Sequence, residues 1–386
     1  MNDTNQTKSF LEVSLVAEII QSIDQIEDAC NGKSGEYIVN ERIKQVAYAK
    51  ILCNVYNNKD ITYLIKSFAY LGIAYLDISY FEQAQEHLLT AFKLNENLSD
   101  ESNMNMKEFQ IKILVNLSKC YYENDKENAA LQICERSLKM NQTLFGNDHI
   151  SNADIYYVIA KIHTKMKNYE TAIEYLRKMY SLFESTYGIE SEKIAKLSME
   201  IAQIYQMWQL LNDSIEYYRK AYEIWAKIIT DNHYEVLFDI SIKLSDLYTQ
   251  LQKDDESYTI LCETDEKYSL KTERHIKERC IYQQYRIQKS KAKKDLNLIL
   301  EEYLQLEKIM EETTENQKTL AKTCISIGYI YLELGSKEKC LEYLSKAEHI
   351  FKVNGDTKFE RDIQQRKIEI QKQQEQSQYE ENEFVD

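Results

Sequence analysis

The sequence has 386 residues, 8 glycines, no proline and a formal net charge of −15. The negative charge disfavours binding to nucleic-acid backbones, and the scarcity of helix-breaking residues favours an all-helical chain. No apolar run reaches 18 residues, and the first fifteen residues lack the basic and apolar regions of a secretory signal. We therefore expect a cytoplasmic protein without membrane insertion.

The first part of the chain predicts a divergent helix pair. Residues 1–10 form a polar N-terminal segment, residues 11–30 predict one helix, and residues 37–55 predict a second. Ser34 and Gly35, which favour a turn, lie between them. We expect this pair to begin a single folded domain that spans residues 11–353.

From there the chain repeats one pattern six times: a large apolar residue, a small residue, an aromatic-type residue three positions later, and a second small residue twelve positions after the first. Most copies start about 42 residues apart, and the last interval is about twice as long, which predicts a degenerate copy near residues 282–310. The first small, aromatic-type and second small residues are Gly72, Tyr75 and Ala84; Ser118, Tyr121 and Ala130; Ala160, His163 and Ala172; Ala202, Tyr205 and Ser214; Ser245, Tyr248 and Ser257; Gly328, Tyr331 and Cys340.

The spacing within one copy predicts two packed helices. Phe68, Leu71, Gly72 and Tyr75 fall at i, i+3, i+4 and i+7, which places them on one face of an α-helix. Ala84 begins a similar stripe on a second helix. Small residues on both stripes let the two helices approach closely at their crossing. The sequence therefore predicts a helical repeat array.

This pattern resembles the tetratricopeptide repeat, in which small residues occupy the eighth, twentieth and twenty-seventh positions. Gly72, Ala84 and Ala91 stand at those positions in one copy. The period resembles the lengthened repeat of the kinesin light chain group, as do the inter-repeat segments at residues 145–149 and 231–233. The resemblance implies an all-α solenoid, a right-handed superhelix of about seven to eight antiparallel helix pairs.

The end of the chain changes in composition. Residues 354–378 are rich in glutamine and charged residues, and they predict a polar helix that caps the array. Residues 379–386 are acidic and contain few residues that pack between helices, so we expect a tail.

The sequence contains no motif typical of catalysis or metal binding. Its eight cysteines include no CxxC pair, and no Cys and His cluster has zinc-ligand spacing. A glycine-rich phosphate loop and a nucleophile elbow are also missing. We interpret the cysteines as small core residues and the histidines as packing or capping residues, and we expect no enzyme, no cofactor and no metal.

The resemblance to this repeat implies that the first helix of each pair lines a concave groove. Lysines, tyrosines and polar residues at inner positions predict a groove that binds other proteins of a large assembly through an acidic or extended segment. Solvated helix faces also collect lysine, and that alternative stays open. The groove residues predicted are Lys112, Lys119, Tyr122, Tyr157, Lys161, Lys165, Lys196, Met199, Gln203 and Gln206.

A further resemblance concerns function. Residues 37–51, with the following helix around residues 69–72, resemble the start of a ciliary group that includes tetratricopeptide repeat protein 23. This resemblance implies a non-catalytic scaffold of a ciliary, axonemal or other cytoskeletal assembly. A cargo adaptor of the kinesin light chain type and a peptide-sensing repeat regulator are the alternatives.

Overall fold

The computed structural model describes residues 2–30, 35–55, 61–97, 104–228, 234–268, 276–311 and 317–383. These residues form seventeen α-helices and no strand. The helices are α1 Asn2–Cys30, α2 Glu36–Val55, α3 Thr62–Asp77, α4 Phe81–Glu96, α5 Met104–Glu123, α6 Glu127–Phe145, α7 Asn152–Lys165, α8 Tyr169–Tyr187, α9 Glu192–Met207, α10 Leu211–Ile228, α11 Tyr234–Gln250, α12 Asp254–Tyr268, α13 Ile276–Ala292, α14 Leu296–Glu311, α15 Gln317–Glu333, α16 Lys337–Val353 and α17 Thr357–Glu383.

The chain divides into two compact units. Unit 1 is Met1–Ile189 and contains α1–α8, and unit 2 is Glu190–Asp386 and contains α9–α17. Within each unit every helix packs on its neighbours in chain order, and α1 to α16 form eight pairs. The predicted all-α, tetratricopeptide-like architecture with seven to eight pairs is confirmed.

Small residues lie where the two helices of a pair cross. A Cβ atom added to Gly72 would lie 2.7 Å from Leu88 Cγ and 3.1 Å from the Ala84 carbonyl oxygen, so this crossing has no room for a side chain. The second small residue of every copy has no exposed surface: Ala84, Ala130, Ala172, Ser214, Ser257 and Cys340. Buried small residues at both sides of each crossing explain why the pattern recurs.

The aromatic-type residue of each copy packs beside the crossing. Tyr205 and Tyr248 are buried, whereas Tyr75, Tyr121, Tyr331 and His163 are half-buried. Several of these rings stack on a ring of the second helix, as Tyr331 does on Tyr343 with ring centroids 5.6 Å apart. These stacked rings join the two helices of their own pair.

The turns inside the pairs from α3–α4 to α15–α16 share one recurring conformation. The residue seven positions after the first small residue has a positive φ, and the next residue's N–H donates to the carbonyl of the aromatic-type residue, as from Lys126 to Tyr121 at 2.9 Å. This is a helix C-terminus closed by a left-handed residue. The left-handed residues are Ser79, Asp125, Lys167, Gln209, Gln252, Lys294 and Gly335.

The turn gives the register of the degenerate copy, α13 and α14. Lys294 has φ 56°, so the eighth repeat position is Ile287 and the eleventh is Ser290. A large residue thus replaces the small one, and a serine replaces the aromatic ring. Asp295 then caps α14, because its Oδ1 accepts from the Asn297 and Leu298 N–H groups at 3.0 and 3.3 Å.

Buried charged side chains hold this copy to α12. The Glu302 carboxylate accepts from the Tyr258 hydroxyl at 2.5 Å, the Gln283 amide at 2.5 Å and the Arg286 guanidinium at 2.8 Å. Arg286 also pairs with Asp265. The side chains of Glu302 and Arg286 are only 2% and 9% exposed. Burial by itself would lower the pKa of Arg286, but the negative charges of Glu302 and Asp265 raise it, and the net shift of the pKa is upward.

The helical part extends beyond the predicted ends. α1 begins at Asn2, within the segment predicted as a separate polar stretch at residues 1–10. α17 continues to Glu383, past the predicted end of the capping helix at residue 378. Neither segment contains glycine or proline, so nothing in the backbone ends these helices earlier. Residues 384–386 of the predicted tail lie outside the described residues.

Candidate protein-binding groove

A groove in unit 1 runs across the first helices of three consecutive pairs, α3, α5 and α7. Its volume is about 410 Å³. The side chains that line it come mainly from these helices: Tyr70, Ile73, Glu108, Ile111, Lys112, Val115, Asn116, Lys119, Asn141, Ser151, Asp154 and Ile155. Successive repeats stack on one another, so the same position of each first helix lies next to its equivalent in the following repeat.

The groove combines an apolar floor with amide groups. Ile111, Val115 and Ile155 are at most 8% exposed and form the floor. Asn141 lies at one side and donates to Ser151 Oγ at 2.7 Å, and Asn116 donates to the Lys112 carbonyl at 2.9 Å. These amide hydrogen bonds fix the walls of the groove, and the apolar floor suits the side chains of an extended peptide.

Tyr70 lies between two cations at the edge of the groove. The Arg42 Cζ lies 4.7 Å from the centre of its ring, and the Lys112 Nζ lies 5.5 Å from the same centre. The phenol of Tyr70 is protonated at neutral pH, and burial raises its pKa further. The ring therefore offers a rigid, neutral contact surface that the cations hold in place.

The charge of the groove differs from the predicted basic face. Lys112 and Lys119 line it, but Glu108 and Asp154 line it as well, which balances their charge. Burial raises the pKa of the Asp77 carboxyl, and the nearby Lys119 offsets part of that rise. The unit 1 groove therefore presents both signs of charge.

The ammonium group of Lys165 forms ion pairs and a hydrogen bond within unit 1. Its Nζ pairs with Asp125 Oδ1 at 2.5 Å and Glu127 Oε1 at 3.3 Å, and it donates to the Tyr122 carbonyl at 2.8 Å. The hydrogen bond to Asp125 raises the pKa of Lys165, although the side chain is partly exposed. Lys161 Nζ lies 5.1 Å from the centre of the Tyr157 ring. None of these four predicted residues, Tyr122, Tyr157, Lys161 and Lys165, lines the groove.

The four remaining predicted residues lie on α9 of unit 2. Lys196 and Gln203 are exposed, and Met199 and Gln206 are half-buried. Lys196 Nζ pairs with Glu192 Oε1 at 2.6 Å, one helical turn away. Both members of this pair are more than half exposed, so it contributes little to stability. The ten predicted residues thus belong to two units, and Lys112 and Lys119 are the two that line the described unit 1 groove.

The prediction missed Tyr70, Glu108, Asn116 and Asp154. Asp154 lies one period after Lys112, and both stand at the second repeat position. Applying the 42-residue period to every inner position, and not mainly to the ninth, would have found Asp154 and with it the balance of charge.

His149 and His163 pack against aromatic rings. His149 stacks on Phe145 with centroids 4.9 Å apart, and its Nδ1 lies 2.7 Å from Ser151 Oγ. His163 stacks on Tyr175 with centroids 6.1 Å apart, and burial lowers the pKa of the imidazole. A lowered pKa keeps His163 neutral at pH 7 and suits a packing role.

The cysteines are free thiols in the structure, and all but Cys262 are buried. Burial raises the pKa of Cys120 to about 12 and that of Cys134 to about 11. Among the described residues no group of three His, Cys, Asp or Glu side chains is placed to hold a metal ion. The same part of the chain has no helix that is both long and apolar enough to cross a membrane.

Residues 109–185 and residues 321–350 match family models described as tetratricopeptide repeat. The first match lies in unit 1 and the second in unit 2. The chain is 24% identical over 128 residues to a clustered mitochondria protein homolog of Brugia malayi, a match of 31% of this chain and 8% of that protein. The chain thus spans a small part of that relative's length.

Two solved structures share the fold. The apo form of RapI has a TM-score of 0.53 and 14% identity, and the alignment covers 95% of this chain and 99% of that one. BtubC (BKLC) from P. vanneervenii has a TM-score of 0.50 and 16% identity, over 59% of this chain and 88% of that one. At these identities the similarity concerns the fold.

Proposed function

We propose that this chain, which carries tetratricopeptide repeats in both units, is a non-catalytic scaffold that binds an extended segment of another protein in the unit 1 groove. Repeats of this family generally mediate protein–protein interaction. The observation that carries the proposal is the combination of an apolar floor, amide side chains and the held Tyr70 ring in one groove. The balanced charges favour a segment that contains both acidic and basic residues.

A photo-cross-linking experiment tests the site. A benzoylphenylalanine residue at Ile73, in the groove, should capture a partner protein from extracts of the source cells, and the same residue at Lys139, which is exposed on α6, should not. Mass spectrometry of the cross-linked peptide identifies the segment. We expect one segment with charges of both signs. Capture at Lys139 without capture at Ile73 would contradict the proposal.

Charge reversal then measures what the lysines contribute. Lys112→Glu with Lys119→Glu should weaken binding of the identified segment by tenfold or more, because acidic groups would face its acidic residues. The control pair Lys93→Glu with Lys139→Glu makes the same change on α4 and α6 and should leave the dissociation constant within about twofold. If both double variants bound the segment equally weakly, the net charge of the protein would explain the loss of affinity, and the position of the lysines in the groove would not.

The finer proposal is that the scaffold works within a ciliary, axonemal or other cytoskeletal assembly. Its support is the resemblance of residues 37–51 to the ciliary group. Imaging of the tagged protein in ciliated source cells tests it. We expect a signal along cilia or another cytoskeletal structure that remains after mild detergent extraction. A diffuse signal that detergent removes would contradict the assembly and return attention to the adaptor and regulator alternatives.

A further inference from the structure

One core position of the repeat opens to solvent in the degenerate copy. The twenty-fourth repeat position is at most 1% exposed in the other copies, where it is occupied by Leu88, Cys134, Leu176, Tyr218, Leu261 and Leu344. In α14 the same position is Tyr303, which is half-buried. Ser290 stands at the eleventh position of this copy, where the others have an aromatic-type ring, so α13 contributes only a small side chain there.

Tyr303 lines a second groove, which lies between α13 and α15 in unit 2. Its volume is about 280 Å³, which suits one or two side chains of a peptide better than a larger organic ligand. The residues that line it are Gln284, Ile287, Gln288, Lys291, Tyr303, Leu306, Thr319, Lys322, Thr323 and Ser326. Ile287 and Leu306 provide a buried apolar floor, and amides and hydroxyls form most of the remaining wall.

The charges of this groove have one sign. Lys291 and Lys322 line it, and no aspartate or glutamate does. Lys291 Nζ donates to the Tyr303 hydroxyl at 2.9 Å and lies 5.3 Å from the centre of its ring, so its described partner is neutral. Lys322 is exposed on α15 and forms no ion pair with a carboxylate among the described residues. The positive charge of both lysines is therefore available to a ligand.

A local excess of positive charge is notable in a chain with a net charge of −15. By contrast, Lys289 on the same helix as Lys291 pairs with Asp246 at 2.9 Å. Two unneutralised lysines beside a tyrosine and an apolar floor match a carboxylate-bearing side chain whose methylene groups need cover.

We propose that the α13–α15 groove binds an acidic segment of a partner protein, with Lys291 and Lys322 on its carboxylates and Tyr303 orienting Lys291. This site lies in the other unit from the groove of the proposed function, so each proposal stands without the other. The charge-balanced unit 1 groove would take a mixed segment, and the unit 2 groove selects negative charge.

The test uses the full chain and a fluorescein-labelled peptide of six glutamates. Fluorescence polarisation should show saturable binding, and a peptide of six glutamines should bind at least tenfold more weakly. Lys291→Glu with Lys322→Glu should weaken binding of the glutamate peptide by tenfold or more. Lys291 and Lys322 are exposed, as are Lys308 and Lys358 of the control pair described below. We therefore expect both double variants to fold.

The control pair is Lys308→Glu with Lys358→Glu, which makes the same change in charge outside the groove. It should change the affinity less than twofold. Lys112→Glu with Lys119→Glu, in the unit 1 groove, should also leave it unchanged. The proposal is overturned if the glutamate peptide does not bind, if both unit 2 pairs weaken it equally, or if the unit 1 pair abolishes binding and the unit 2 pair does not.

Discussion

Replacing Glu302 by alanine is expected to destabilise unit 2 by about 3–5 kcal/mol, because it leaves the buried Arg286 guanidinium with Asp265 as its one described carboxylate partner. The change also removes the acceptor of the Tyr258 hydroxyl and one of the two acceptors of the Gln283 amide, whose other bond goes to the Glu302 backbone carbonyl. Buried donors without acceptors add to the cost, since they lose their hydrogen bonds to water without replacement.

The two tryptophans of the chain make the measurement specific. Both Trp208 and Trp225 lie in unit 2, and Trp225 is 3% exposed, so urea unfolding followed by tryptophan fluorescence reports on that unit. Hydrogen exchange of peptides from α12 to α14 shows whether the loss is local. The matched control is Glu301→Ala, which removes an exposed carboxylate on the same helix and should shift the urea midpoint little. Equal midpoints for the two variants would contradict the expectation.

A double variant separates the ion pair from packing. Arg286→Met with Glu302→Leu removes both charges and leaves apolar side chains of similar size. We expect it to be more stable than Glu302→Ala, because a buried pair contributes little once its cost of desolvation is counted. The same comparison shows whether the charges fix the arrangement of α12, α13 and α14. Hydrogen exchange in these helices should rise in the double variant if they do.

Repeat copies with small residues could be predicted from the sequence because each of their crossings depends on local spacing. Gly72 and Ala84 predict a close approach of their two helices. In the structure, a Cβ atom added to Gly72 would lie 3.1 Å from the Ala84 carbonyl oxygen. The degenerate copy could be detected from the doubled interval, but its register could not. Ile287 and Ser290 carry no trace of the pattern, and Lys294 marks the turn only through its backbone conformation.

The charges of the grooves were harder to predict because they depend on pairs between neighbouring repeats. Lys165 and Asp125 are 40 residues apart, and Lys289 and Asp246 are 43 apart. Both separations are close to the 42-residue period, so opposite charges about one period apart are a usable signal. The contact of Tyr258 with Glu302 has a similar separation of 44 residues but starts from the second helix, which the inner-face reasoning did not consider.

For the unit 1 groove, helix periodicity indicated the face on which Lys112 and Lys119 lie, but it did not indicate the side chains that other parts of the unit add to that face. Lys112 and Lys119 were placed on the inner face by their distance from the small residues, and both line the groove. Glu108 lies one turn before Lys112 on the same helix and was within reach of that reasoning. Asn141 comes from the second helix α6, so no rule about first helices includes it.

Leu344→Ala is expected to destabilise the α15–α16 pair by about 2–5 kcal/mol, the usual cost of deleting a fully buried leucine side chain and leaving a cavity. Leu344 has no exposed surface, and its Cγ would lie 3.5 Å from a Cβ atom added to Gly328. The crossing is therefore already at close approach, and the backbone at Gly328 has little freedom to fill the space. Urea unfolding with hydrogen exchange of α15 and α16 measures the loss.

Leu341→Ala provides the matched control for this position. It deletes the same atoms from the same helix, but Leu341 is half-buried at the edge of the cluster in which Leu344 is central. Solvent can fill the space that its removal leaves, so we expect a clearly smaller loss. If both variants lost equal stability, the twenty-fourth repeat position would not be the centre of the pair. The half-buried Tyr303 at that position would then no longer be exceptional, and the groove it lines would lose its structural explanation.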